Sequence, residues 1–163
     1  MLDLSGVVLK RLGNKRSLQT TASPDHPTEI AVGRDQVAII DSGGSRIEVF
    51  DLQCNFLKAF RIRAVDGPPV VAEMGLAFDS ASNIYVSNLN GSTVFTYDRD
   101  GRPIGAFGQY GAGVREFDGP SGVWIDRSDR MFVADTRNSR VQVFHVSSEG
   151  ATGTQLGRSS DGQ

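Results

Sequence analysis

The sequence predicts an all-β chain built from one repeated unit, and three observations carry that prediction. Residues of like character recur 47 apart without a gap: Val37, Ile84 and Met131; Ile47, Val94 and Val141; Phe50, Tyr97 and Phe144. Polar positions keep the same interval, Asp41 with Asn88 and Asp135, and Ser45 with Ser92 and Ser139. Short runs such as RIEVF alternate as strands with one buried face do, whereas no segment longer than a turn or two shows helical periodicity. A fixed period of this length, with four short strands in each copy, points to β-propeller blades before solenoids.

Residues 1–13 read as an orphan outer strand. Asp3, Leu9, Lys10 and Leu12 repeat Asp51, Leu57, Lys58 and Phe60 at a shift of 48, but without the three strands that should precede them. The polar stretch after it, which holds Pro24 and Pro27, is a connector. Blade 1 covers residues 27–60, through IAV, QVAIID, RIEVFD and FLKAF. A second connector with Pro68 and Pro69 leads to blade 2, residues 75–108, through GLAFD, NIYVSN, TVFTYD and PIGAFG. The stretch GQYGAGVREFDG then joins it to blade 3, residues 120–157, and residues 158–163 form a tail. In blade 3 Ala151 and Thr154 take the places of Leu57 and Phe60 or of Ile104 and Phe107, so its own fourth strand is weak. Either that segment frays or another outer strand competes for the blade. Gly44, Gly91 and Asn138 share one turn position, where these residue types suggest a positive φ.

Bulk properties narrow the function. A net charge of −2 gives no global attraction to nucleic acid or anionic lipid. The single cysteine, Cys54, excludes an internal disulfide framework and reads as a turn residue. Asp3 and the basic residues that follow interrupt the N-terminus, which does not read as a signal peptide, and no stretch approaches a membrane span. A cytoplasmic protein without membrane association is expected, or a segment of something larger.

The stretch GVREFDGPSGVWIDRSDRMFVADTRNSRVQVF resembles an NHL repeat, with the two upstream units as more diverged copies. The resemblance implies a β-propeller of NHL type. Three four-stranded antiparallel blades, half of a usually six-bladed ring, would follow an extra N-terminal outer strand. It also implies a docking face made by the connectors 13–28, 61–75 and 108–121 and the hairpins 41–46, 88–93 and 135–140. Family members dock protein partners or single-stranded RNA there, many as the C-terminal part of tripartite-motif ubiquitin ligases. The expected function is therefore a non-catalytic module that docks a protein partner, as the substrate-recognition part of such a ligase. The alternatives are an RNA-binding module and a fragment of a propeller lactonase or lyase. Three blades do not close a ring, so the chain is expected to be part of a longer parent or to form a homodimer. In the dimer, the orphan strand would serve the partner's third blade.

The residues show little chemistry. His26 lies in a connector and His145 stands where Asp51 and Asp98 end their strands, so neither heads a zinc or nucleophile set. No metal and no cofactor is expected. GQYGAG lacks the following helix that a phosphate loop needs, and Asn90-Gly91-Ser92 reads as a hairpin turn. Blade 2 carries Asn88 and Thr93 where the others carry Asp41 with Arg46 and Asp135 with Arg140. Both charges vanish together, which predicts an ion pair within each hairpin, worth about 0–1 kcal/mol if exposed. On the docking face, Lys15, Arg16, Arg61, Arg63, Arg115 and Arg137 face Asp25, Asp66, Glu73, Glu116 and Asp118, close to neutrality. Arg63, Tyr110, Arg115, Arg137 and Asn138 are the expected partner contacts, because exposed connector residues carry function more often than core strands do.

Overall fold

The computed structural model describes residues 10, 12, 24–43, 45–65 and 75–146. Blade 1 is the antiparallel meander β1 (Pro27–Val32), β2 (Gln36–Asp41), β3 (Arg46–Asp51) and β4 (Phe56–Arg61). Blade 2 repeats it with β5 (Leu76–Phe78), β6 (Ile84–Asn88), β7 (Thr93–Tyr97) and β8 (Pro103–Phe107). A short parallel pair, β9 (Gln109–Tyr110) with β10 (Glu116–Phe117), bridges to blade 3. Blade 3 shows β11 (Pro120–Ile125), β12 (Arg130–Asp135) and β13 (Arg140–His145) as a three-stranded sheet. The fourth strand expected near Ala151 and Thr154 lies outside the described residues, as do residues 13–23 and 66–74.

The 47-residue interval is a pairing register. Val37 opposes Phe50, Ile84 opposes Tyr97 and Met131 opposes Phe144, in each case across the second and third strands of a blade. Because strand side chains alternate between faces, that register sends two apolar sets to opposite sides of every sheet. Ala38, Ile47 and Val49 of blade 1 pack against Ile84, Val86 and Tyr97 of blade 2. Ala77, Tyr85 and Val94 on the other side of blade 2 pack against Met131, Val133 and Phe144 of blade 3. Two core layers thus lie between neighbouring blades, and a third, Val37, Ile39 and Phe50 with Leu12 packed on it, lies on the other face of blade 1.

One rule builds the turns at the opposite end from the β2–β3 hairpin. Asp79 accepts from the backbone N–H of Ala81 and Asn83, Asp98 from Asp100 and Arg102, and Asp126 from Ser128 and Arg130. These are Asx turns, which make the carboxylates structural. Cys54 and its counterpart Gly101 both hold a left-handed φ in the β3–β4 and β7–β8 turns.

The β2–β3 type hairpins depart from expectation. The left-handed residues are Ser45, Ser92 and Ser139, at φ of 48°, 51° and 53°, one place after the glycines and Asn138. In blades 1 and 3 the serine closes a tight bend, Ser45 N–H donating to Ser42 C=O at 3.3 Å and Ser139 N–H to Thr136 C=O at 3.1 Å, whereas in blade 2 Gly91 N–H donates to Asn88 C=O at 3.2 Å. Gly91 serves space and not φ: a Cβ there would strike the Asn88 amide.

Candidate docking face

At the hairpin end, Asp135 closes β12 as a hub with none of its surface exposed. It accepts from Asp118 N–H at 2.7 Å, Arg140 Nε at 2.7 Å, Asn138 Nδ2 at 3.0 Å and Gln142 Nε2 at 3.1 Å. Burial alone would raise its pKa, but the bonds from Asp118, Asn138, Arg140 and Gln142 outweigh it and hold the carboxyl below its ordinary value. Arg140 then reaches past Asp135 to the carbonyls of Ala112, Gly113 and Glu116 at 2.6, 2.7 and 2.9 Å. The connector between blades 2 and 3 is therefore held by its backbone.

Blade 1 uses the same device. Asp41 accepts from His26 N–H at 2.8 Å and Asp25 N–H at 3.2 Å, and its carboxylate lies 3.0 Å from Arg46. In blade 2, where Asn88 and Thr93 replace the pair, Ser87 ties the connector by exchanging bonds with Gly75 at 2.7 and 3.0 Å. The ion pairs predicted within the hairpins are thus present, but their carboxylates are buried, so the value expected of an exposed pair does not apply. Asp41 and Asp135 lie in the sheet, and the connectors fold back over them.

Four of the five expected contact residues gather around the connector between blades 2 and 3. Tyr110, on β9, is 75% exposed. Arg115 is exposed at a φ of 62°, with its guanidinium 4.8 Å from the Phe107 ring centroid. Arg137 lies exposed on the blade 3 hairpin, 3.3 Å from Asp118. Asn138 is half-buried, and its amide donates to Gly111 C=O at 2.8 Å and to Asp135. Its amide thereby helps to hold the loop. Arg63 sits on the preceding connector, where its backbone N–H and C=O both bond the Tyr97 hydroxyl, at 2.9 and 2.7 Å. Its side chain is exposed.

The acids of this face are engaged internally. Glu116 accepts from Gly113 N–H at 2.7 Å and Gln109 Nε2 at 3.1 Å, which lowers its pKa, the Gly113 bond contributing most. Asp118 pairs with Arg137, and Asp25 lies 3.1 Å from His26. No described carboxylate lies within ion-pair range of Arg61, Arg63 or Arg115. At the other end of the blades, an open groove of about 490 Å³ is lined by Arg34, Asp79, Asp126 and Arg127, whose two carboxylates are those of the Asx turns. Among the described residues, no three His, Cys, Asp or Glu side chains come together as metal ligands would. None of the described helices is long and apolar enough to cross a membrane.

Three meanders stacked face to face define an arc of a β-propeller. Its third blade is an NHL repeat: residues 117–144 match the family model of that description. No curated protein matches the chain. Among solved structures it is similar to U3-55K, with a TM-score of 0.56 and 14% identity over 77% of this chain and 37% of that one. It is also similar to a catalytically inactive virginiamycin B lyase from Staphylococcus aureus with quinupristin, at TM-score 0.50 and 12% identity, covering 75% and 42% of the two chains. Hydrazine synthase from Kuenenia stuttgartiensis follows at TM-score 0.48 and 16% identity, covering 85% and 41%. The chain thus spans about two fifths of the length of each of these, and the likeness is one of fold.

Proposed function

We propose that this chain is a non-catalytic interaction module that docks a protein partner through its connector and hairpin face. The observation that carries the reading is the imbalance of charge there. Glu116 and Asp118 are engaged internally, while Arg61, Arg63 and Arg115 are exposed with no described carboxylate in ion-pair range, and the Tyr110 ring is exposed on the same face. An acidic, aromatic-bearing peptide segment fits such a surface, with charge setting orientation and the ring supplying apolar area. Substrate recognition within a cytoplasmic ubiquitin ligase is the setting the NHL resemblance suggests.

A second reading draws on the same residues, since arginines flanking an aromatic platform also suit single-stranded RNA. A propeller enzyme remains the third, and metal analysis of the purified protein tests it. The deciding experiment is fluorescence anisotropy with a labelled Glu/Asp-rich peptide carrying phenylalanines, and with an oligouridylate. The paired charge reversals Arg63→Glu and Arg115→Glu are expected to weaken peptide binding by about tenfold or more while the melting temperature holds. Undiminished peptide binding would overturn the proposal, and tighter oligouridylate binding with a steep salt dependence would favour RNA.

A further inference from the structure

In the groove at the far end of the blades from the docking face, each blade contributes the same three consecutive positions. The first ends an inner strand: Val32, Phe78 and Ile125 close β1, β5 and β11, opposite Val37, Ile84 and Met131. These three supply the apolar lining. The second position opens the turn, where the N–H of Gly33, Asp79 and Asp126 donates to the C=O of Gln36, Asn83 and Arg130 at 2.8, 3.1 and 3.0 Å. The third is Arg34, Ser80 or Arg127, all exposed.

Blade 1 departs from the rule of the other two. Its turn is one residue shorter, 33–36 against 79–83 and 126–130, and it opens with glycine where they have an Asx-turn aspartate. A Cβ on Gly33 would come within 2.9 Å of the Phe78 ring, so glycine lets this turn close against blade 2. The groove thus loses one carboxylate and keeps the arginine that follows. The carboxylates that remain are committed. Asp79 accepts from Ala81 N–H, from the N–H and Nδ2 of Asn83, and from the Tyr85 hydroxyl. Asp126 is paired with Arg130 at 2.6 Å. Of the neighbouring acids, Asp129 accepts from Ser80 N–H and Oγ at 2.8 and 2.5 Å, and Asp35 lies 3.2 Å from Arg99. No described carboxylate lies within ion-pair range of Arg34 or Arg127. Two uncommitted cations therefore share a cleft with apolar walls, which focus their field.

We propose that this groove binds a small organic phosphate, its apolar body against Val32, Phe78 and Ile125 and its phosphate held by Arg34 and Arg127. A guanidinium presents a planar fork of donors that one carboxylate satisfies, whereas a phosphate has oxygens enough to accept from two. The volume of about 490 Å³ falls within the roughly 300–1,000 Å³ of small-molecule sites. Because the groove and the docking face lie at opposite ends of the blades, the site does not depend on which partner that face takes.

Calorimetric titration with phenyl phosphate at low ionic strength, followed by amide NMR spectra, tests the site. Saturable binding is expected, with the amides of Gly33, Arg34, Ser80 and Arg127 shifting while those of Tyr110 and Arg115 stay in place. Inorganic phosphate and benzyl alcohol, each lacking one part of the ligand, should bind more weakly by about tenfold or more. Arg34→Gln and Arg127→Gln should each weaken phenyl phosphate binding by about tenfold. Both side chains are exposed, so the melting temperature should hold. The paired Arg63→Glu and Arg115→Glu variant should bind phenyl phosphate as the wild type does. The proposal would be overturned by inorganic phosphate binding as tightly as phenyl phosphate, by shifts gathered on the docking face, or by no saturable binding at millimolar ligand. The wild-type spectra decide the matter even if a variant fails to fold.

Discussion

Replacing Glu48 by glutamine should stabilise the protein at neutral pH. Asp41 and Glu48 share one guanidinium, that of Arg46, which lies 3.0 Å from the first and 2.6 Å from the second. Both carboxylates are wholly buried, and Glu48 Oε2 has no hydrogen-bond partner among the described residues. Burial, with Asp41 adding to it, raises the Glu48 pKa despite Arg46. Blade 3 holds the uncharged alternative at the same position, Gln142, whose amide donates to Asp135 at 3.1 Å. An unpartnered buried acceptor costs about 1–3 kcal/mol, and a surplus buried charge adds to it. Allowing for repacking, Glu48→Gln should gain about 1–2 kcal/mol at pH 7, or about 2–8 °C in melting temperature. With its folded pKa raised, Glu48 contributes most stability below the unfolded value of about 4.3 and loses it as pH rises through the folded value. The variant's advantage should therefore shrink as pH falls from 7 toward 4.5, which paired urea titrations at fixed protein concentration would measure. A destabilised variant at pH 7, or a gain that does not vary with pH, would refute the reasoning.

Asp135→Ala strips partners from Asp118 N–H, Asn138, Arg140 and Gln142 together, and should cost about 3 kcal/mol in the same titrations. Because its folded pKa is lowered, the wild-type contribution should be present at neutral pH and fade as acid protonates the group below about pH 4. Tyr97→Phe removes the hydroxyl that both donates to and accepts from Arg63, and should cost about 1–2 kcal/mol by thermal melting. It should also abolish a phenol titration pushed up to about 12, chiefly by burial.

The sheet register was legible because it depends on local alternation repeated at a fixed interval. Val37, Ile84 and Met131 needed no long-range knowledge to be set opposite Phe50, Tyr97 and Phe144. The hairpin ion pairs were legible through Asn88 and Thr93, where both charges are missing at once. Their burial was not, because it depends on connectors returning from afar, as Asp118 does to Asp135. A second non-local contact, from the Asn138 amide to Gly111 C=O, was equally invisible in the sequence. Glycine at 44 and 91 drew the left-handed position one place early, since serine gives no compositional sign of the φ that Ser45, Ser92 and Ser139 adopt. The internal use of Glu116 was written only faintly, in Gly111 and Gly113, whose missing side chains make room for its carboxylate.

Arg140 grips the connector between blades 2 and 3 by three carbonyl oxygens and by none of its side chains. A grip of that kind is indifferent to what the loop displays. Tyr110, Ala112, Val114 and Arg115 can be exchanged for other residues while the clasp beneath them stays the same. A grafted loop of equal length, keeping the two glycines and Glu116, would be presented at the same place, which makes this segment a natural cassette for new binding specificities.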